Sequence, residues 1–449
     1  MWEGLKLLYE FIKKRMVPHS AQTISDATGS ISYAELLSRA EMLGDKLSKE
    51  KYGLLFSSEI NMLTALLACM YAGKTAVPLS PKYGSRHIDR IIKATHLSHL
   101  LTDSGEEEIT AYINPQDDLS GVALILCTSG TTGTPKGAMI TEENLLTNLC
   151  DIETYFSIGS NDSILIARPM YHCAVLTGEV LYSLIRGVRI VFFSEGFIPS
   201  RILEKAISEQ VSVLCGTPTL LYYLSRLNIR TADKLVLKAM AISGECMTNA
   251  VAQTIRNAFL HTEIYNVYGL TEASPRVSFL PPEQFDLFPL SIGYLLPSVE
   301  GKVQNGELLI RGKSIMRGYY DDETTTKRVL TDGWLHTGDI VVKDSEGRLY
   351  IKGRKDNLII RAGMNIYPQE IENAVKSESS IIEVLVYGIK DAVVGEKIMM
   401  KVVTALSRQE VFQICQRVLP KYELPDSIEI VNELPRNASG KVVRNGTLS

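Results

Sequence analysis

Between Thr128 and Gly137 the chain reads Thr-Ser-Gly-Thr-Thr-Gly-Thr-Pro-Lys-Gly, residues that are nearly all small, hydroxylated or cationic. Glycines at 130, 133 and 137 let the backbone take positive φ and bring its N–H groups close to an anion. The hydroxyls of Thr128, Ser129, Thr131 and Thr132 add donors, and Lys136 adds a charge suited to phosphate. The chemistry implied is the cradling of a polyphosphate. The P-loop pattern GxxxxGK[ST] does not fit, because Pro135 precedes Lys136 and Gly137 follows it. Apolar Leu124 to Cys127 reads as the buried strand that delivers the loop, whereas a flexible linker seldom follows directly on a strand or closes on Pro-Lys-Gly.

This stretch resembles the phosphate-binding signature of the acyl- and aryl-acid adenylating enzymes. That superfamily comprises acyl-CoA synthetases, peptide-synthetase adenylation domains and firefly-type luciferases. Further matches follow in order: Tyr171-His172, Ser243-Gly244-Glu245, Asn266-Val267-Tyr268-Gly269-Leu270-Thr271-Glu272, and Gly306-Glu307-Leu308 with Arg317-Gly318-Tyr319. His336-Thr337-Gly338-Asp339, Gly353-Arg354-Lys355-Asp356 and the Pro-x-x-x-x-Gly-Lys ending from Pro435 to Lys441 complete the series. The resemblance runs from about residue 20 to Arg444.

The resemblance implies a role for each matched residue. ATP would be held by Thr128, Ser129, Gly130, Thr131, Thr132, Gly133 and Lys136, by Gly244, Glu245, Asn266, Tyr268 and Gly269, and by Asp339 and Arg354 at the ribose. An Asp339 carboxylate suits two ribose hydroxyls because it accepts two hydrogen bonds at once. Glu272, beside Thr271 on a glycine turn, supplies the carboxylate for Mg²⁺. Lys441 is the cation that would lie between the acid and the α-phosphate, two anions that otherwise repel. His172, Cys173, Ser243 and Val267 would border the acid, Asp356 would be the hinge, and Gly363 would line the pantetheine passage.

Cys173 bears on the substrate class. Amino-acid-activating members carry an Asp at this element to hold the substrate ammonium, which a neutral thiol cannot do. A buried ammonium without a carboxylate costs several kcal/mol, so the expected substrate is a carboxylic acid lacking an α-amino group. Glu179, seven residues beyond His172, keeps an amino acid open as the alternative, with a peptidyl carrier protein as its acceptor.

Positioning these residues requires a large framework. The 449 residues suffice for two or more domains, and 45% hydrophobic with 22% charged residues is an ordinary globular balance. A net charge of −4 offers no basic field for nucleic acid. Seven scattered cysteines without a CxxC argue against a disulfide framework or zinc site and suit a reducing, cytoplasmic setting. Trp2, Leu5, Leu8 or Tyr9, and Ile12 fall at helical spacing, giving an amphipathic opening helix rather than a signal peptide, with Lys13-Lys14-Arg15 as its solvated end. The most apolar segment, Met62 to Leu79, contains Gly73, Lys74 and Pro78 and is no membrane span.

From Ser30 to Asp103 and again from Val188 to Gly269, helical and strand patterns alternate, which predicts parallel sheets covered by helices. From Gly301 to Tyr350 the period changes to two, predicting an antiparallel, β-rich subdomain. The polar turn at 353–356 sets the expected boundary between a large ATP- and acid-binding domain, 1–353, and a small mobile α+β domain, 354–449, carrying Lys441. The resulting reading is an α/β, AMP-forming acid–thiol ligase that makes an acyl-adenylate and passes the acyl group to a pantetheine thiol. Coenzyme A and an acyl or peptidyl carrier protein both stand as acceptors. A degenerate, non-catalytic nucleotide-binding module is the reading from another class, opposed by intact Lys136, Glu272, Asp339, Arg354 and Lys441.

Overall fold

The computed structural model describes residues 7–82, 84–109, 118–129, 135–231, 233–362, 364–378, 380–391, 393–435 and 442. The chain divides into two compact units. The first comprises 1–245, 254–301 and 310–335, and the second 246–253, 302–309 and 336–449.

The first unit contains two large sheets. One has seven strands in the order Gly318–Tyr319, Pro135–Thr141, Val122–Ser129, Thr75–Pro78, Lys51–Leu55, His99–Thr102, Gly105–Glu108. The other has nine, with Arg276–Leu280, Glu263–Gly269, Ala239–Ile242, Val213–Gly216, Ser163–Ile166 and Arg189–Phe192 as consecutive neighbours. Its central pairings are parallel and its edges antiparallel, matching the expected α/β alternation.

The segment at 62–79 shows how sequence becomes core. Glu59–Ala72 is apolar on nearly every side and is buried along most of its length. Ser58 caps it by accepting from the Asn61 N–H, and Gly73 closes it at φ +66°. Thr75–Pro78 then enters the middle of the seven-stranded sheet, fully buried. Burial on all sides accounts for the apolar run that a membrane span would otherwise explain. Among the described residues no helix is long and apolar enough to cross a membrane.

The second unit has its own core, built from Ile359, Ile366, Ile371, Val375, Val384, Val386, Ile398, Met400 and Val402 with residues of the helix Arg408–Val418. Ile381–Asp391 and Gly395–Thr404 form an antiparallel hairpin to which Ser427–Ile430 adds in parallel. Pro368 opens the helix Pro368–Lys376 at a position where its missing N–H is not needed. Also in this unit, 339–343 pairs antiparallel with 349–354.

Candidate active site

The strands on either side of the Gly-rich stretch form a β-hairpin. Val122–Ser129 and Pro135–Thr141 pair antiparallel, with Thr128 opposite Lys136 and Ser129 opposite Pro135. Gly137 is required by packing: a Cβ there would fall 2.6 Å from Ile125 Cγ2. Thr141 then caps the helix Glu142–Glu153 in a capping box with Asn144, whose amide also donates to the Lys313 and Ile315 carbonyls. Gly130, Thr131, Thr132 and Gly133, together with Gly363 and Lys441, lie outside the described residues, as does the Ser129 side chain.

The next strand along, Gly318–Tyr319, brings a residue that the sequence reading quoted without a role. Tyr319 pairs opposite Ala138, and its hydroxyl donates to Glu272 Oε1 at 2.7 Å. Lys136 Nζ lies 5.7 Å from the centre of the same ring, within cation–π range. Tyr319 thereby joins the phosphate hairpin to the Glu272 turn. That turn, Thr271–Ala273, is held on its other side by Met316 N–H donating to the Glu272 carbonyl at 2.8 Å. Gly269 before it admits no side chain, since a Cβ would sit 2.1 Å from the Pro275 carbonyl oxygen.

His172 begins a helical segment that passes through a π-helical stretch, Leu176–Leu181. Such widened turns frequently occur at functional sites. Burial, with Arg168 beside it, pushes the His172 pKa down to about 4, so the ring is neutral at pH 7. Cys173 is buried and its thiol is pushed up to about 12, which keeps it protonated and uncharged.

Glu179 has no exposed surface, and its Oε1 accepts a hydrogen bond from Arg168 Nη2 in an ion pair. The same guanidinium donates through Nη1 to Ser243 Oγ at 3.3 Å. The carboxylate that kept an amino-acid substrate open is thus already matched by an internal cation. Sequence reasoning missed Arg168, because pairing across 11 residues in one direction and 75 in the other is invisible before the sheet is assembled.

Ser243 is buried at the end of Ala239–Ile242, and Gly244 follows at φ +94°, a conformation that favours glycine. Exposed Glu245 accepts from the Thr219 hydroxyl at 2.6 Å. Asn266 and Val267 are buried in Glu263–Gly269 with Tyr268, and the Asn266 amide donates to the Pro289 and Ser291 carbonyls.

In the second unit Asp339 and Arg354 stand directly opposite each other across a strand pair. Arg354 Nη1 donates to Asp339 Oδ1 at 3.2 Å and to the Thr337 carbonyl at 2.8 Å. Gly338 between them takes φ +70°, and a Cβ there would fall 2.8 Å from Arg354 Nη2. Buried Glu307 accepts from Gly338 N–H, at 3.1 Å, and pairs with Lys355 Nζ at 2.9 Å. Its carboxyl lies below the usual range despite burial, held there chiefly by Lys355 and His336. Asp356 lies exposed in the short turn Lys355–Asn357.

Family models agree with this arrangement. The AMP-binding enzyme model matches residues 13–120 and 103–320, and the AMP-binding enzyme C-terminal domain matches 370–441. The chain belongs to the AMP-binding enzyme family. It is 28% identical to a feruloyl-CoA synthase from an Amycolatopsis species, over 96% of each chain. It is 32% identical to a long-chain-fatty-acid–CoA ligase of Salmonella typhimurium, over 74% of this chain and 62% of that protein. Among solved structures, Bacillus subtilis o-succinylbenzoate coenzyme A synthetase in complex with ATP and magnesium superimposes with a TM-score of 0.84 at 26% identity, over 97% of this chain and 98% of that one. This AMP-binding enzyme is an ATP-dependent, AMP-forming carboxylic acid–thiol ligase.

Proposed function

We propose that the chain activates an aryl or acyl carboxylic acid as its adenylate and transfers the acyl group to the thiol of coenzyme A. The observation that carries the acid class is the Arg168–Glu179 pair beside neutral His172 and Cys173. With Glu179 matched by Arg168, an ammonium at this element would have no carboxylate to itself. Coenzyme A is preferred over a carrier protein because the relatives at full or near-full length are named as CoA synthases and ligases.

Each residue has a defined task in this reading. The 122–141 hairpin presents its loop to the β- and γ-phosphates with Lys136 as counter-charge. Tyr319 holds one oxygen of Glu272, and the other would be the oxygen that holds Mg²⁺. A lone carboxylate completed by phosphate oxygens and water suits Mg²⁺, which retains most of its hydration. When bound, Mg²⁺ neutralises charge on the leaving pyrophosphate. Asp339 accepts from the ribose hydroxyls, and Arg354 keeps that carboxylate in place. Lys441 offsets the charge of the acid and the α-phosphate as they approach.

The segment 354–449 then swings about Asp356, withdrawing Lys441 and bringing Gly363 to the pantetheine passage, so one pocket serves two half-reactions in turn. The test is pyrophosphate release with ATP and Mg²⁺ across benzoates, cinnamates, fatty acids and amino acids, followed by mass detection of the CoA thioester. A response confined to amino acids would refute the reading of Glu179, and adenylate formation without a CoA thioester would refute the acceptor.

A further inference from the structure

Arg276 is the least explained charge in the first unit. It opens the strand Arg276–Leu280 opposite Gly269 and is only 2% exposed. Its backbone is fixed on both sides by Asn148, which is fully buried: Asn148 Oδ1 accepts from the Arg276 N–H at 3.2 Å, and Asn148 Nδ2 donates to the Arg276 carbonyl at 2.8 Å. The guanidinium lies on Gly178, in the π-helical stretch. A Cβ at 178 would come within 2.7 Å of Nη2 and 2.9 Å of Nε, so glycine is what makes room for it.

No ion pair among the described residues involves this guanidinium. Nε is buried without a hydrogen-bond partner, and among the described residues no carboxylate pairs with the guanidinium. Glu179, next to Gly178, gives Oε1 to Arg168, and its Oε2 is buried without a hydrogen-bond partner. Cys173 and Cys215, whose surroundings include Arg276, remain neutral thiols, and His172 is neutral. Glu272 is held by Tyr319 and is the residue assigned to Mg²⁺. An arginine does not shed its proton when buried, and an unpaired buried charge costs several kcal/mol. A bound carboxylate would supply the partner that Nε lacks. Cys173, whose surroundings include Arg276, borders the acid in the ligase reading.

We propose that the acid activated by this enzyme is a dicarboxylic acid, whose second, non-reacting carboxylate is bound by Arg276. A carboxylate matches the guanidinium fork in a bidentate pair, and burial makes that pair selective. This inference rests on the ligase reading and narrows it to a substrate class.

The experiment compares matched acids, each dicarboxylic acid against the monocarboxylic acid of the same chain or ring. Pyrophosphate release is measured on the full-length enzyme, with direct binding of the corresponding acyl-sulfamoyl adenosines as a readout independent of turnover. The best dicarboxylic acid is expected to exceed its partner by about 100-fold in kcat/KM, the ratio of a charged hydrogen-bonded pair made against one left unmade. Arg276→Gln should collapse that ratio towards one, while Arg276→Lys keeps part of it as a single charge without the fork. Gly178→Ala should raise KM for the dicarboxylic acid by displacing the guanidinium. Monocarboxylic acids turned over and bound as well as their partners would overturn the role of Arg276 while leaving the ligase reading intact. Silence with every acid, together with no binding of either adenosine analogue, would reject the ligase reading and this inference with it.

Discussion

Tyr319 donates its hydroxyl to Glu272 Oε1 at 2.7 Å across a sequence separation of 47 residues. Its ring meanwhile lies 5.7 Å from Lys136 Nζ. One side chain thus fixes the Glu272 carboxylate relative to the strand that carries Lys136. Tyr319→Phe keeps the ring and removes the hydrogen bond. A hydrogen bond to a charged group contributes about 1.5–3 kcal/mol, so adenylation should slow by about 10- to 100-fold. The Mg²⁺ concentration giving half-maximal pyrophosphate release should rise as well. An unchanged Mg²⁺ dependence would mean that Tyr319 only braces the sheet.

Asp339 and Arg354 give a second expectation, because they face each other across a strand pair at 3.2 Å. Asp339→Asn keeps the shape but loses the charge that, in the proposed reading, accepts from both ribose hydroxyls. The KM for ATP should rise by about tenfold or more, the cost of weakening charge-assisted hydrogen bonds. The discrimination against 2′-deoxy-ATP should shrink in the same variant. A variant that discriminated as the parent does would remove Asp339 from the ribose site.

His172 sets a pH dependence whose sign is fixed by its burial. The folded protein holds the imidazole neutral down to about pH 4, whereas a freely solvated imidazole titrates near 6.5. Between those values the unfolded chain binds the extra proton, so the contribution of this residue is complete above pH 6.5 and is lost as the pH falls towards 4. Over that window the loss is up to about 3 kcal/mol. The gap in melting temperature between the parent and His172→Gln should move in favour of the variant as the pH drops from 7.5 to 5. Parallel curves would show that His172 is free to protonate in the folded state.

In the proposed reading Lys441 serves the adenylating half-reaction alone. Lys441→Ala should abolish pyrophosphate release from acid and ATP, yet leave thioester formation from a supplied acyl-adenylate largely intact. Loss of both activities together would tie the lysine to thiolation too.

Much of this was legible in the residues. Thr128, Lys136, Glu272, Asp339 and Arg354 stand in short local patterns, and local patterns survive without knowledge of the fold. The helix from Glu142 was equally readable, since Thr141 and Asn144 close a capping box within a single turn. The hairpin under the phosphate loop was only half visible: its first strand is continuously apolar, while the second, from Pro135 to Thr141, is disguised by Lys136 and Gly137. What stayed hidden depended on distant strands becoming neighbours. Arg168 and Arg276 look like surface charges in the sequence, because nothing local reveals that one is paired with a buried glutamate and the other lies on a glycine. Tyr319 was hidden for the same reason, as a short strand far along the chain returns to the edge of the first sheet.

The Arg168–Glu179 pair has a consequence for how such a pocket diversifies. Glu179 is sealed from solvent, and Arg168 is the cation that matches it. Replacing Arg168 with a leucine would take away the cation paired with buried Glu179, and a ligand cation able to reach it could then take that place. An amine-bearing acid is such a cation. In the ligase reading a single substitution at Arg168 would thus change which class of acid this element favours.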